Sequence, residues 1–80
     1  MLIGREAAVS KVVIPHPQVS SAHAWIGWNG TSIVFVDRGS TNGSTINGSN
    51  IRPGDEILLD AGDVVSLGRD DAVCFMVERY

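Results

Sequence analysis

Ala22-His23-Ala24-Trp25-Ile26-Gly27-Trp28, then Asn29-Gly30, then Ser32-Ile33-Val34-Phe35-Val36 is the stretch on which the fold turns. Side chains alternate along a strand, so the first run places Ala24, Ile26 and Trp28 on one face and His23, Trp25 and Gly27 on the other. Asn-Gly between two such runs is the signal of a tight hairpin. The same grammar continues in both directions. Val12-Val13-Ile14, Ile57-Leu58-Leu59, Val64-Val65-Ser66-Leu67 and Val73-Cys74-Phe75-Met76-Val77 are short, rich in Val and Ile, and separated by Pro53-Gly54 and Ala61-Gly62-Asp63. Hairpins are expected near Asp55 to Leu59 and Val64 to Leu67, with a last strand from Ala72 to Arg79. Nine glycines and three prolines interrupt every window long enough for a helix, and no window keeps apolar residues at helical spacing over three turns. The chain reads as an all-β antiparallel sandwich, one domain over residues 1–80, with almost no helix.

Composition limits the partners. Six basic and nine acidic side chains give a net charge of -3, and no Lys/Arg cluster stands out, which argues against nucleic acid and against an anionic membrane. No apolar run approaches the roughly 18 residues of a membrane span, and the N-terminus lacks the layout of a signal peptide, so a cytoplasmic domain is expected. The lone Cys74 lies in an apolar run and reads as a small core side chain. His16 sits between Pro15 and Pro17, in a stretch expected to be extended and exposed. The two histidines have no Cys or carboxylate at ligand spacing, so no metal is assigned, and no cofactor either.

Three separated elements stand out: Gly4-Arg5, Ser20-Ser21-Ala22-His23, and Asp37-Arg38-Gly39-Ser40-Thr41-Asn42-Gly43-Ser44. Followed by Ile46-Asn47-Gly48 and by Ala61-Gly62-Asp63-Val64-Val65-Ser66-Leu67-Gly68, they resemble the signature of the forkhead-associated (FHA) domain. The resemblance runs from Ile3 to Gly68. It implies an FHA-type sandwich that binds a phosphothreonine-containing segment of a partner protein and catalyses nothing. It also implies the roles: Arg5, Ser20 and Thr41 around the phosphate, Asn42 on the main chain of the bound peptide, and Gly4, His23 and Gly43 as supports of the binding loops; the Ser21 hydroxyl joins the phosphate set on its chemistry alone. The residue types suit the task. A phosphothreonine brings about -1.5 to -2 charge and three acceptor oxygens, which a guanidinium, hydroxyls and an amide satisfy.

Three features depart from the pattern, the mildest being Ser44 in place of the usual Thr, since either hydroxyl can serve a turn. Ser21 stands where the family commonly has Arg, Lys or Asn, so a charge-assisted bond is missing and weaker or differently directed binding is expected. Strands usually precede the Gly-Arg element in the family, whereas here only Met1, Leu2 and Ile3 do. One sheet is therefore expected to lack an edge strand, an opening for self-association. Its cover is a neighbouring copy, sequence beyond this chain, or nothing. Trp25 is either a solvent-facing anchor or packed under the loop after Asn42. Ser20 with His23 is the sole candidate nucleophile and base, and three residues of spacing without an orienting group do not make an enzyme. The rival reading is an FHA-fold assembly surface that binds its partner independently of phosphorylation. Loss of Arg5, Ser20 or Asn42 would mark it, and all three are present.

Overall fold

Nine short strands carry the chain in the computed structural model, which describes residues 1–78. They are β1 (Leu2–Gly4), β2 (Val12–Val13), β3 (Ala24–Trp28), β4 (Ile33–Asp37), β5 (Ser44–Ile46), β6 (Ser49–Asn50), β7 (Ile57–Leu59), β8 (Val64–Leu67) and β9 (Val73–Met76). A single 3₁₀ turn, Arg69–Asp71, joins β8 to β9. One sheet has the order β2-β1-β3-β4-β7 and the other β6-β5-β8-β9. This is the expected all-β sandwich.

The deciding hairpin forms as read. β3 and β4 pair antiparallel from Trp28↔Ile33 to Ala24↔Asp37, and the Asn29 side-chain oxygen accepts from the amides of Thr31 (2.9 Å) and Ser32 (2.8 Å) across the turn. The N-terminal segment differs from the reading in one respect. β1 is flanked on both sides, antiparallel to β3 and parallel to β2, so the sandwich is not wholly antiparallel. The parallel pair is possible because Val9 and Ser10 donate to the Glu6 carbonyl, which folds the connection into a compact turn that returns the chain beside its start. Among the described residues the sheet edges are β2 and β7 in one sheet and β6 and β9 in the other, so β1 itself is an inner strand.

Between the sheets Ile3, Val19, Ala24, Phe35, Ile46, Leu59, Val65, Leu67 and Val77 form a continuous buried cluster. Phe35 is its largest member and is fully buried. Alternation explains which residues join. Val73, Phe75 and Val77 point inward while Cys74 and Met76 point out, so Cys74 is exposed and is not the core residue its apolar surroundings suggested. Its Sγ lies 3.3 Å from Ser66 Oγ. Trp28 shares the inward face of Ala24 and Ile26 but lies beyond the end of the core, 65% exposed. Trp25 fits neither expectation. It is half-buried, and its ring covers Gly27, two residues along the same outer face, where a Cβ would collide with the indole. The last strand is shorter than expected, and Arg79 lies outside the described residues.

A domain of this size has a total stability of about 4–12 kcal/mol. Truncating its central aromatic, Phe35→Ala, should cost about 3–5 kcal/mol, which at the lower end of that stability range leaves the domain at or near half-unfolded without denaturant. Urea melts followed by Trp fluorescence check this. A loss below about 1 kcal/mol would mean that the ring is not the centre of the packing.

Candidate functional site

The ends of β1, β3 and β4 bring the three sequence elements to one edge of the sandwich. There they line a pocket of about 500 Å³ whose walls include Arg5, Gln18, Ser20, Ser21, Thr41 and Asn42.

The loop after β4 is built around Asp37, which is 1% exposed. Its Oδ1 accepts from the backbone amides of Gly39 and Ser40, each at 2.9 Å. Its Oδ2 accepts from the hydroxyls of Ser40 and Ser44, each at 2.6 Å. Burial pushes the carboxyl pKa up. The four donors outweigh it, and the group is held below its ordinary value. The Ser40 hydroxyl also accepts from the Gly43 amide (3.1 Å), which closes the loop on itself. Thr41 and Asn42 are left at its apex, with their side chains free of the carboxylate.

His23, fully buried, organises the opposite wall. Its Nδ1 accepts from the Ser20 amide (3.1 Å), which places the ring proton on Nε2. From there it is donated to the Gly43 carbonyl (2.9 Å), with Ser44 Oγ at 3.1 Å. The ring does not reach Ser20 Oγ as a base reaches a nucleophile; it holds the Ser20 backbone instead. The two walls are joined directly where the Thr41 amide donates to Ser20 Oγ (3.0 Å), leaving the Ser20 hydroxyl proton available.

Arg5 follows β1 and is exposed. Its backbone amide donates to the Ser20 carbonyl (3.0 Å), and the Glu6 amide to that of Ser21 (3.3 Å). This close approach explains Gly4, where a Cβ would overlap the Ser21 carbonyl and lie 2.7 Å from Ser10 Oγ. The guanidinium donates only a long bond, 3.3 Å, to the Pro17 carbonyl. Asn42 donates one side-chain N–H to the Gln18 carbonyl (3.1 Å), which fixes the amide and frees its oxygen and second N–H. Gly43 has a φ of +82°, the left-handed conformation expected of it. Ser21 is exposed at the pocket mouth. His16 is half-buried and not exposed as expected, because its Nδ1 accepts from the Gln18 amide (3.1 Å).

The structure thus brings every site residue named from the sequence to one place. Sequence reasoning missed Asp37, Ser40 and Gln18, and for Ser44 it gave only a hydroxyl serving a turn. For Asp37 a signal existed, since an Asp ahead of a Gly-Ser loop is a common acceptor for the amides that follow it.

Such an arrangement defines a class: a β-sandwich recognition module that presents a cation, hydroxyls and an amide from loops at one end of its strands. Within that class the chain belongs to the FHA domain family, whose model matches residues 1–68. Protein FraH of Nostoc sp. is 41% identical over 58 residues, 72% of this chain and 20% of FraH. FhaA of Mycobacterium tuberculosis, an FHA domain-containing protein, is 36% identical over 63 residues, 79% of this chain and 11% of FhaA. The chain therefore spans a small part of these curated relatives. Among solved structures, the FhaA FHA domain complexed with the intracellular domain of Rv3910 superposes with a TM-score of 0.74 at 36% identity, covering 84% of this chain and 69% of that one. The N-terminal FHA domain of Rad53p from S. cerevisiae, in complex with a phosphothreonine peptide, gives 0.75 at 25% identity, covering 94% and 62%.

The Asp37 network has a pH signature. Because the folded carboxyl holds its proton less tightly than the unfolded one, its stabilisation is complete above the ordinary Asp value, about 3.9. It is lost as pH falls through the lower folded value. Asp37→Asn should be less stable by about 2 kcal/mol or more at pH 7 and should show a shallower loss of stability between about pH 5 and 2. Urea melts across that range test both, and parallel acid limbs for the two proteins would count against the network.

Proposed function

We propose that this domain binds a phosphothreonine-containing segment of a partner protein. The observation that carries the proposal is the make-up of the pocket. In a chain of net charge -3, its lining holds one cation, three hydroxyls and two side-chain amides, and no carboxylate. The nearby carboxylate, Asp37, is buried with both oxygens occupied. Arg5 supplies the charge-assisted contact to the phosphate, worth about 1.5–3 kcal/mol where it is shielded from water. Ser20 and Thr41 donate hydroxyls from the two walls, Ser21 adds a third at the mouth, and the free amide atoms of Asn42 pair with the peptide main chain. The phosphothreonine peptide bound to the Rad53p domain supports this reading. So does the partner bound to the FhaA domain.

The domain acts by binding alone. Ser20 and His23 meet through a backbone amide, so the ring is not placed to activate the Ser20 hydroxyl. Its setting is phosphorylation-dependent signalling in the cytoplasm, to which an exposed free thiol at Cys74 is suited. Residues 1–80 act as one unit, with the pocket at a single edge.

A phosphothreonine peptide library titrated against the protein should yield binders whose unphosphorylated forms bind at least tenfold more weakly. Phosphoserine forms, lacking a methyl worth about 0.8 kcal/mol when buried, should also bind more weakly. Arg5→Ala should erase the preference for phosphate. Equal binding of phosphorylated and plain peptides would instead establish an assembly surface independent of phosphorylation.

A further inference from the structure

Gln18 lies outside the motifs of the family signature, yet each of its polar backbone groups and its side-chain oxygen is engaged. Its amide donates to His16 Nδ1, and its carbonyl accepts from the Asn42 side chain. Its Oε1 accepts from the backbone amide of Arg69 at 2.6 Å, 51 residues away. Its Cβ fills the space beside Gly68, where a second Cβ would stand 2.9 Å from it.

The turn that Gln18 holds is closed locally by one backbone bond, from the Ala72 amide to the Arg69 carbonyl (3.1 Å). Asp70 and Asp71 both adopt left-handed φ values, 54° and 52°, which non-glycine residues seldom take even singly. The Arg69–Asp71 turn buries no residue. Among the described residues, its one hydrogen bond to a distant part of the chain is the bond to Gln18. Through this residue the turn stands within one glutamine side chain of the carbonyl that orients Asn42.

We infer that Gln18 is a positioning residue for peptide selectivity: it locks Asn42 and the Arg69–Asp71 turn into one rim, against which the residues flanking the phosphothreonine are read. The inference rests on the phosphopeptide reading above and adds to it which part of the surface discriminates among sequences. An extended peptide advances about 3.3 Å per residue. A peptide held at Asn42 therefore meets the turn within a few residues of the phosphate, and an unlocked turn presents no fixed surface to it.

Gln18→Met keeps the length and bulk of the side chain and removes the acceptor. The experiment compares this variant with the parent domain on an oriented phosphothreonine peptide library and on N-acetyl phosphothreonine amide, which has no flanks. The variant should bind the preferred peptide about tenfold more weakly, the loss of one well-formed hydrogen bond, with a flattened flank profile and a distinctly smaller loss on the amide. Hydrogen exchange at the Arg69 amide, followed by NMR without ligand, should be slow in the parent and fast in the variant. An unchanged flank profile, equal weakening of both ligands, or equal exchange in both proteins would overturn the inference while leaving phosphopeptide binding standing. A parent domain that binds no phosphothreonine ligand would bring down the proposed function and the selectivity role together.

Discussion

A carboxylate removed from water is stable only where donors replace the solvent, and Asp37 meets that condition entirely with groups from the seven residues after it. β4 carries Asp37 to the end of the sandwich and buries it, and the chain must then wrap round it. Gly39, Ser40 and Ser44 supply the four donors. Thr41 and Asn42, at the apex of the loop and not bonded to the carboxylate, are left facing outward. The charge inside the loop thus determines which side chains appear on its surface, without touching anything that binds there.

The second wall depends on the first. His23 connects the Ser20 backbone to Gly43 and Ser44, and Ser20 Oγ receives the Thr41 amide. A shift in either loop is therefore felt in the other. Gly4 completes the set by letting β1 approach the Ser20-Ser21 backbone closely enough for two amide bonds. The pocket is held by hydrogen bonds, most of them between buried or half-buried groups. The apolar cluster beneath it sets the distance between the sheets.

Much of this was legible in the sequence. Ile33 to Val36 and Val64 to Leu67 declare themselves as strands because β-branched runs end at Asn-Gly or Gly-Asp. The site residues were legible as a group because Arg5, Ser20, Thr41 and Asn42 occur in a recognisable order. What could not be read depended on face or on distance. Ala72 to Val77 is apolar at both parities, so nothing in the sequence says that Phe75 points inward and Cys74 outward. Trp25 was assigned to the correct face, but its packing over Gly27 depends on a side chain that is missing two positions away. The place of Val12-Val13 in the sheet is set by a turn at Glu6 to Ser10 with no Gly or Pro to announce it. Gln18 acts on Arg69 only because β8 ends beside it, a proximity that spacing along the chain does not contain.

The Gly43 carbonyl accepts from His23 Nε2, at the start of β3 in one sheet, and from the Gly68 amide (3.0 Å), at the end of β8 in the other. Asn42 is the residue immediately before it. In mechanical terms, a ligand pulling on Asn42 loads a junction anchored in both layers of the sandwich. The tension divides between two sheets at their common edge, and no single loop is peeled away on its own. A domain that held its partner at Asn42, as proposed, would be braced at the residue where the tether attaches.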